Sequence, residues 1–314
     1  MQLFPHGFAV LFGVNSCAAP HLRPSEILKR LFRFDELVGV LAAQSAIAEL
    51  LGKAKMYLKQ ILPDREFRMK MQPGWSRGTL AGKLVDWFDP PAKPRFALLY
   101  LHPVGRESLA DNAVFTELLT RFHLGCCAPF GEESWWADRV CATFDPTFTS
   151  VQHLVGNVQP AMRKRWTLPT KAIAIAGISM GGQGALRLAF QQPDMFNVVA
   201  GIASALDYHE WYGRGTPLDA LYKSREACRQ ETALLHIQPD RYPKHIWFAC
   251  DPTDEEWFRG NDRLDEKLRA MGIPHTVDLT SEAGGHSWAY FDAMATSMLG
   301  FAFKSLEVEA RRLL

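Results

Sequence analysis

The sequence predicts an α/β fold: a mostly parallel central sheet with helices on both faces, a small cap insertion, and an N-terminal helical extension. Three observations lead there. From about residue 65 onward, short apolar runs alternate with segments of helical periodicity. Two of those runs, 96–101 (FALLYL) and 172–178 (AIAIAGI), are uninterrupted, the pattern of strands buried on both faces. Strands that alternate with helices imply right-handed crossovers, and hence parallel pairing.

Taken in order, residues 25–62 are expected to be helical. Ser25 can cap the helix, Glu26 in its first turn suits the helix dipole, and Pro63 ends the pattern. Residues 1–65 are therefore read as an extension and 66–314 as the main domain. Within that domain, 82–88 (GKLVDWF) is a strand that ends at the turn Asp89-Pro90-Pro91. Strand 96–101 is followed by a helix over 109–122, strand 124–128 (LGCCA), a helix over 151–166, and strand 172–178. A helix over 181–191 precedes strand 198–203. After the segment 206–244 come strand 246–250 (IWFAC), a helix over 261–271, strand 275–279, and a last helix from about 287 past 306. The segment 206–244, with Trp211, Tyr212, Gly213 and Gly215, is too long for a simple connection and is expected to form the cap.

Composition narrows the function. In 314 residues, 35 Lys+Arg oppose 34 Asp+Glu, so there is no clustered positive charge to hold a nucleic acid. The densest basic run, Arg163-Lys164-Arg165, falls at the end of an expected helix, where cations match the dipole. Six cysteines include no CxxC pair, which leaves zinc and thioredoxin-type chemistry without support; no metal or organic cofactor is expected. Cys126 and Cys250 lie in apolar runs, as core residues do. So few cysteines favour a reducing compartment, and a cytoplasmic location is expected. Residues 1–20 are apolar but no Lys or Arg precedes them, which gives export only weak support. The stretch 37–51 is shorter than the ~20 residues that span a bilayer, so no membrane span is expected. Self-association stays open.

The chemistry-bearing segment is Gly177-Ile178-Ser179-Met180-Gly181-Gly182-Gln183-Gly184. It holds G-x-S-x-G between an apolar strand and a helix, the setting in which a serine sits on a sharp strand-to-helix turn. Side chains at Gly177 or Gly181 would collide with neighbouring backbone. The turn pushes the Ser179 hydroxyl out of the sheet and aims the Met180 amide at the place where an oxyanion would form. A serine hydroxyl is a weak nucleophile and needs a histidine held by a carboxylate, in the chain order Ser, acid, His. His286, in Ala283-Gly284-Gly285-His286-Ser287, lies on a glycine loop before the last helix. The acid should follow strand 246–250, where Asp251 and Asp254 compete. Asp251 abuts the strand, whereas Asp254 sits at the tip of the turn and reaches the histidine better; the other carboxylate is expected to bond turn amides. The second oxyanion donor should come from Leu101-His102-Pro103-Val104-Gly105. Proline has no N–H, so Val104 is the expected donor, with Gly105 next, and His102 is expected to be structural. Trp135 and Trp136 follow a strand ending at the same sheet edge and are candidates for lining an acyl or alcohol pocket.

These residues resemble the esterase D group of α/β-hydrolases, which includes S-formylglutathione hydrolases, feruloyl and acetylxylan esterases, and mycolyltransferases. The resemblance rests on GISMGGQGAL around Ser179, on Cys250-x-x-x-Asp254 followed by Asn261 and a helix, and on GGHSWAYF around His286, and covers roughly 80–305. It implies the α/β-hydrolase fold, a triad of Ser179, Asp254 and His286, and a small-molecule ester with a short acyl chain as substrate. HPVGRES does not look like the oxyanion loop of the formylglutathione hydrolases, and 1–65 is not part of the family pattern. An acyltransferase using the same triad, and a non-catalytic binding protein of the same fold, are the alternatives.

Overall fold

A computed structural model describes residues 71–312. The extension 1–65, with the helix expected over 25–62 and the apolar stretch 37–51, lies outside the described residues. Eight strands form one sheet: β1 (Trp75–Leu80), β2 (Lys83–Phe88), β3 (Phe96–Leu101), β4 (Leu124–Pro129), β5 (Ile173–Ile178), β6 (Val198–Ile202), β7 (His245–Ala249) and β8 (Thr276–Asp278). Their order is β1-β2-β4-β3-β5-β6-β7-β8. Strands β3 to β8 pair in parallel, and β2 pairs antiparallel with both β1 and β4. This is the expected α/β-hydrolase fold.

The five longer helices are α1 (Ala113–Arg121), α2 over 150–166, α3 (Met180–Gln191), α6 (Phe258–Ala270) and α7 (Trp288–Arg312). Two single-turn helices, α4 (Leu218–Leu221) and α5 (Arg225–Arg229), sit between β6 and β7 in the segment expected to be the cap. Strands β3, β4 and β5 are buried at every residue because helices cover both faces, which is why they read as continuous apolar runs. Cys126 and Cys250 are core residues as expected. Helix α2 is continuous but carries a π turn at Leu154–Val158, and Thr149 opens it with a capping box closed by Gln152.

Strand β1 is absent from the sequence expectation. It pairs with β2 through a hairpin whose turn holds Ala81 at φ 48° and Gly82 at φ 77°. Its residues (WSRGTL) bury only Trp75, so no apolar alternation marks it. Pairing with β2 makes it a strand, reinforced by the bidentate ion pair of Arg77 with the buried Asp86 opposite (2.7 and 2.8 Å). Among the described residues, no helix is long and apolar enough to cross a membrane.

Candidate active site

The site is built at the C-terminal ends of the parallel strands. Ser179 follows β5 directly and sits at φ 57°, ψ −118°, a left-handed conformation that costs a non-glycine residue about 1–3 kcal/mol. The surroundings enforce it. The Ser179 amide donates to Ile202 O (2.9 Å), and its carbonyl accepts from the amides of Gln183 (3.1 Å) and Ala205 (3.0 Å). The two motif glycines are required by crowding: a Cβ on Gly181 would lie 2.8 Å from His102 O and closer still to the Leu101 carbonyl, and one on Gly177 would lie 2.7 Å from the Gly182 amide. Helix α3 therefore starts at Met180 with its first amides beside the serine hydroxyl, at the positive end of the helix dipole.

His286 Nε2 is 3.0 Å from Ser179 Oγ, and His286 Nδ1 is 2.8 Å from Asp254 Oδ2. An ionised carboxylate only accepts, so Nδ1 carries the proton and Nε2 offers its lone pair to the serine hydroxyl. Asp254 is buried, and its Oδ1 accepts from the amides of Glu256 (3.2 Å) and Trp257 (3.0 Å). The Cys250 thiol donates to Oδ2 at 3.7 Å. The imidazole stands between the rings of Trp257 (6.5 Å) and Phe291 (5.3 Å, edge-on). Sequence reasoning did not single out these two rings, because they become neighbours of the histidine only after α6 and α7 dock.

Asp251 takes the other role foreseen for the pair of acids, and more besides. Its Oδ1 accepts from the Thr253 amide (2.8 Å) and hydroxyl (2.6 Å), as a turn residue does. Its Oδ2 reaches across to the loop before α7 and accepts from the amides of Ala283 (2.7 Å) and Gly285 (2.9 Å). Burial alone would raise this carboxyl, but the Ala283, Thr253 and Gly285 hydrogen bonds outweigh it and hold the group at about 2.

The loop after β3 is fixed from below by His102. Its Nδ1 donates to Pro103 O (2.7 Å) and its Nε2 accepts from the Gly131 amide (2.8 Å). That leaves the ring neutral, and burial lowers its pKa to about 4. The loop turns at Pro103, whose carbonyl accepts from the Arg106 amide (3.0 Å), and Arg106 pairs with Glu132 across the cleft edge. Val104 is exposed on this turn. Trp135 and Trp136 both adopt left-handed backbone (φ 54° and 50°) and are only 2% and 1% exposed. Trp136 packs edge-on to His102 (4.9 Å) and donates to its carbonyl (3.1 Å), while Trp135 stacks on Tyr208 (5.2 Å). Trp136 thus acts as packing beneath the loop, and Trp135 joins it to the 206–244 segment.

That segment is anchored on α3. The buried Arg187 pairs with Glu231 and donates to its carbonyl (2.9 Å), and Gln183 Oε1 accepts from the Ala233 amide (2.8 Å). Trp211 stands 5.2 Å from Trp257 and links the segment to the histidine side of the site.

Residues 154–302 match the family model described as "Putative esterase", a span that contains Ser179, Asp254 and His286. Over that span, just under half of the chain, the sequence is similar to esterases, and the fold is that of the α/β-hydrolases. Solved structures similar to the chain include an S-formylglutathione hydrolase from Agrobacterium tumefaciens (14% identity over 76% of this chain and 98% of that one, TM-score 0.63). A ferulic acid esterase is similar at 17% identity, covering 70% of this chain and 92% of that one (TM-score 0.57). The fluorophosphonate-binding serine hydrolase F of Staphylococcus aureus is similar at 15% identity, covering 73% and 96% (TM-score 0.57). At these identities the likeness is one of fold. No curated protein matches the sequence.

Proposed function

We propose that the chain is a serine esterase that hydrolyses short-chain carboxylic esters through an acyl-enzyme on Ser179. The observation that carries this is the unbroken hydrogen-bonded line from Ser179 Oγ through His286 to the buried Asp254, at 3.0 and 2.8 Å. His286 Nε2 takes the serine proton as Oγ attacks the ester carbonyl. The amides of Met180 and Val104 stabilise the tetrahedral oxyanion, each donor contributing about 10²–10³ in turnover. His286 then returns the proton to the departing alcohol, and water activated by the same nitrogen releases the acid. Asp254, held by the Glu256 and Trp257 amides, keeps the imidazole in the required tautomer and stabilises its charged form.

A cytoplasmic location belongs to the same proposal, in keeping with five buried free thiols among the described residues. The test is hydrolysis of p-nitrophenyl esters of graded chain length by wild type and Ser179→Ala, with fluorophosphonate labelling alongside. Short-chain turnover and labelling that both vanish in the variant are expected. A folded wild type that neither turns over any ester nor labels overturns the proposal.

A further inference from the structure

We infer that Asp251 is a positioning residue for the reaction: a single buried carboxylate that fixes the acid-bearing loop and the histidine-bearing loop relative to each other. The inference rests on the Ser179–His286–Asp254 reading and deepens it. Asp254 and His286 lie on loops 32 residues apart in sequence and belong to different strand–helix connections. Their 2.8 Å contact is therefore only as good as the register between those loops.

The Asp251 side chain sets that register. One oxygen closes the turn at Thr253, and the Asp254 amide donates to the Asp251 carbonyl (3.0 Å), so Asp254 leaves this turn in a defined direction. The other oxygen gathers the amides of Ala283 and Gly285, the latter adjacent to His286. The loops run close together, since a Cβ added at Gly285 would lie 3.4 Å from Thr253 O, and Gly284 and Gly285 adopt φ values of +95° and +66°. These two glycines leave the loop little local stiffness of its own, so its shape depends on the tether. Ser179 is tied separately, to β6 and α3. The carboxylate thus governs where His286 and Asp254 stand without touching the reacting atoms.

Four donors converge on Asp251, and only a carboxylate accepts from all of them. In Asp251→Asn, an NH₂ group must face either the Thr253 amide or the amides of Ala283 and Gly285, so one attachment is lost whichever way the amide turns. Misplacing a catalytic group by about 1 Å costs roughly 10² in rate. Asp251→Asn is accordingly expected to lower kcat on a p-nitrophenyl ester by about 10²-fold with KM unchanged. Thr253→Val, which removes one donor and spares both amides of the histidine loop, is expected to lower kcat several-fold in the same way.

A purely structural role is separated from a positioning role by repeating both substitutions in an Asp254→Asn background. If Asp251 acts through the Asp254–His286 contact, its cost shrinks to near zero once that contact is disabled. Four results overturn the inference: a folded Asp251→Asn with wild-type kcat; wild-type kcat in Thr253→Val should Asp251→Asn fail to fold; a loss confined to KM; or costs that multiply through the Asp254→Asn background undiminished. Ser179→Ala is run alongside. Activity retained there sinks the triad reading itself, whereas a silent Ser179→Ala beside a fully active Asp251→Asn sinks only the role of Asp251.

Discussion

Substituting Gly181 by alanine tests at once how tightly the serine turn is packed and whether the loop after β3 takes part in the chemistry. A Cβ there would stand 2.5 Å from the Leu101 carbonyl carbon and 2.8 Å from His102 O. Both neighbours are backbone, at the end of a fully buried strand, so no side chain can swing aside. The Leu101 carbonyl oxygen lies closer still, so reaching the 3.4 Å of ordinary van der Waals contact requires more than about 0.9 Å of movement between α3 and the loop that carries Val104. Overpacking of this kind costs about 1–3 kcal/mol. For a body of this size that corresponds to a fall in Tm of roughly 2–12 °C. A displacement near 1 Å at an oxyanion loop should lower kcat/KM by about 10²-fold. Thermal unfolding by circular dichroism and p-nitrophenyl ester kinetics read the two effects separately. Wild-type Tm and kcat/KM together would refute the packing geometry. A lower Tm with wild-type kcat/KM would refute the part assigned to the loop. Gly156→Ala serves as the control, since a Cβ there meets nothing within 4 Å and should stabilise the helix by about 0.5–1 kcal/mol.

Other expectations follow from single contacts. Asp254→Asn should lower kcat by about 10³–10⁴ with the fold intact, because the amide can donate to Nδ1 and select the wrong tautomer; the near-ultraviolet circular dichroism spectrum and the kinetics check both halves. His102→Phe leaves the Gly131 amide buried without an acceptor, and a loss of about 1–3 kcal/mol should appear in the urea midpoint. Stability should fall in two stages on acidification. His102 and His153 are held neutral by burial down to about pH 4, whereas in the unfolded chain they charge near 6.5, so unfolding takes up protons and stability drops between those values. Asp251 is depressed to about 2, so its contribution is present above about pH 4 and is lost as pH falls towards 2. Urea midpoints across pH 7 to 2 trace both stages. His153→Phe should flatten the first stage and Asp251→Asn the second, and curves that do not change would sink the assignments.

Much of the site was legible because its parts are local. The GISMGGQG turn needs small residues at fixed offsets, and the two strands flanking the crossovers need apolar runs; both are properties of consecutive residues. Asp254 and His286 could be nominated from chain order and from their loops. What escaped the sequence depends on distant partners. Strand β1 is polar and becomes a strand only opposite β2. The left-handed backbone of Trp135 and Trp136 has no local signature and accompanies the packing of Trp136 against His102 and Gly184 of α3 and of Trp135 on Tyr208. The bonds from Asp251 to Ala283 and Gly285 span more than 30 residues, and only its local turn role could be foreseen.

The hydrogen bonds of Ser179, Asp254 and His286 all run to one another or to segments that adjoin β5, β6, β7 and the start of α7. The segment 206–244 meets this frame through α3, through Trp211, whose ring packs on Trp257 and donates to Glu256, and through α6, where Arg263 pairs with Asp207 and Lys267 donates to the Leu234 carbonyl. On the proposed triad, the bond-breaking groups and the 206–244 segment are therefore separate stretches of chain joined by a few side-chain contacts. A lineage or an engineer could exchange that segment while keeping its anchors at Glu231 and Ala233 on α3, at Asp207 and Leu234 on α6, and at Trp211 on Glu256.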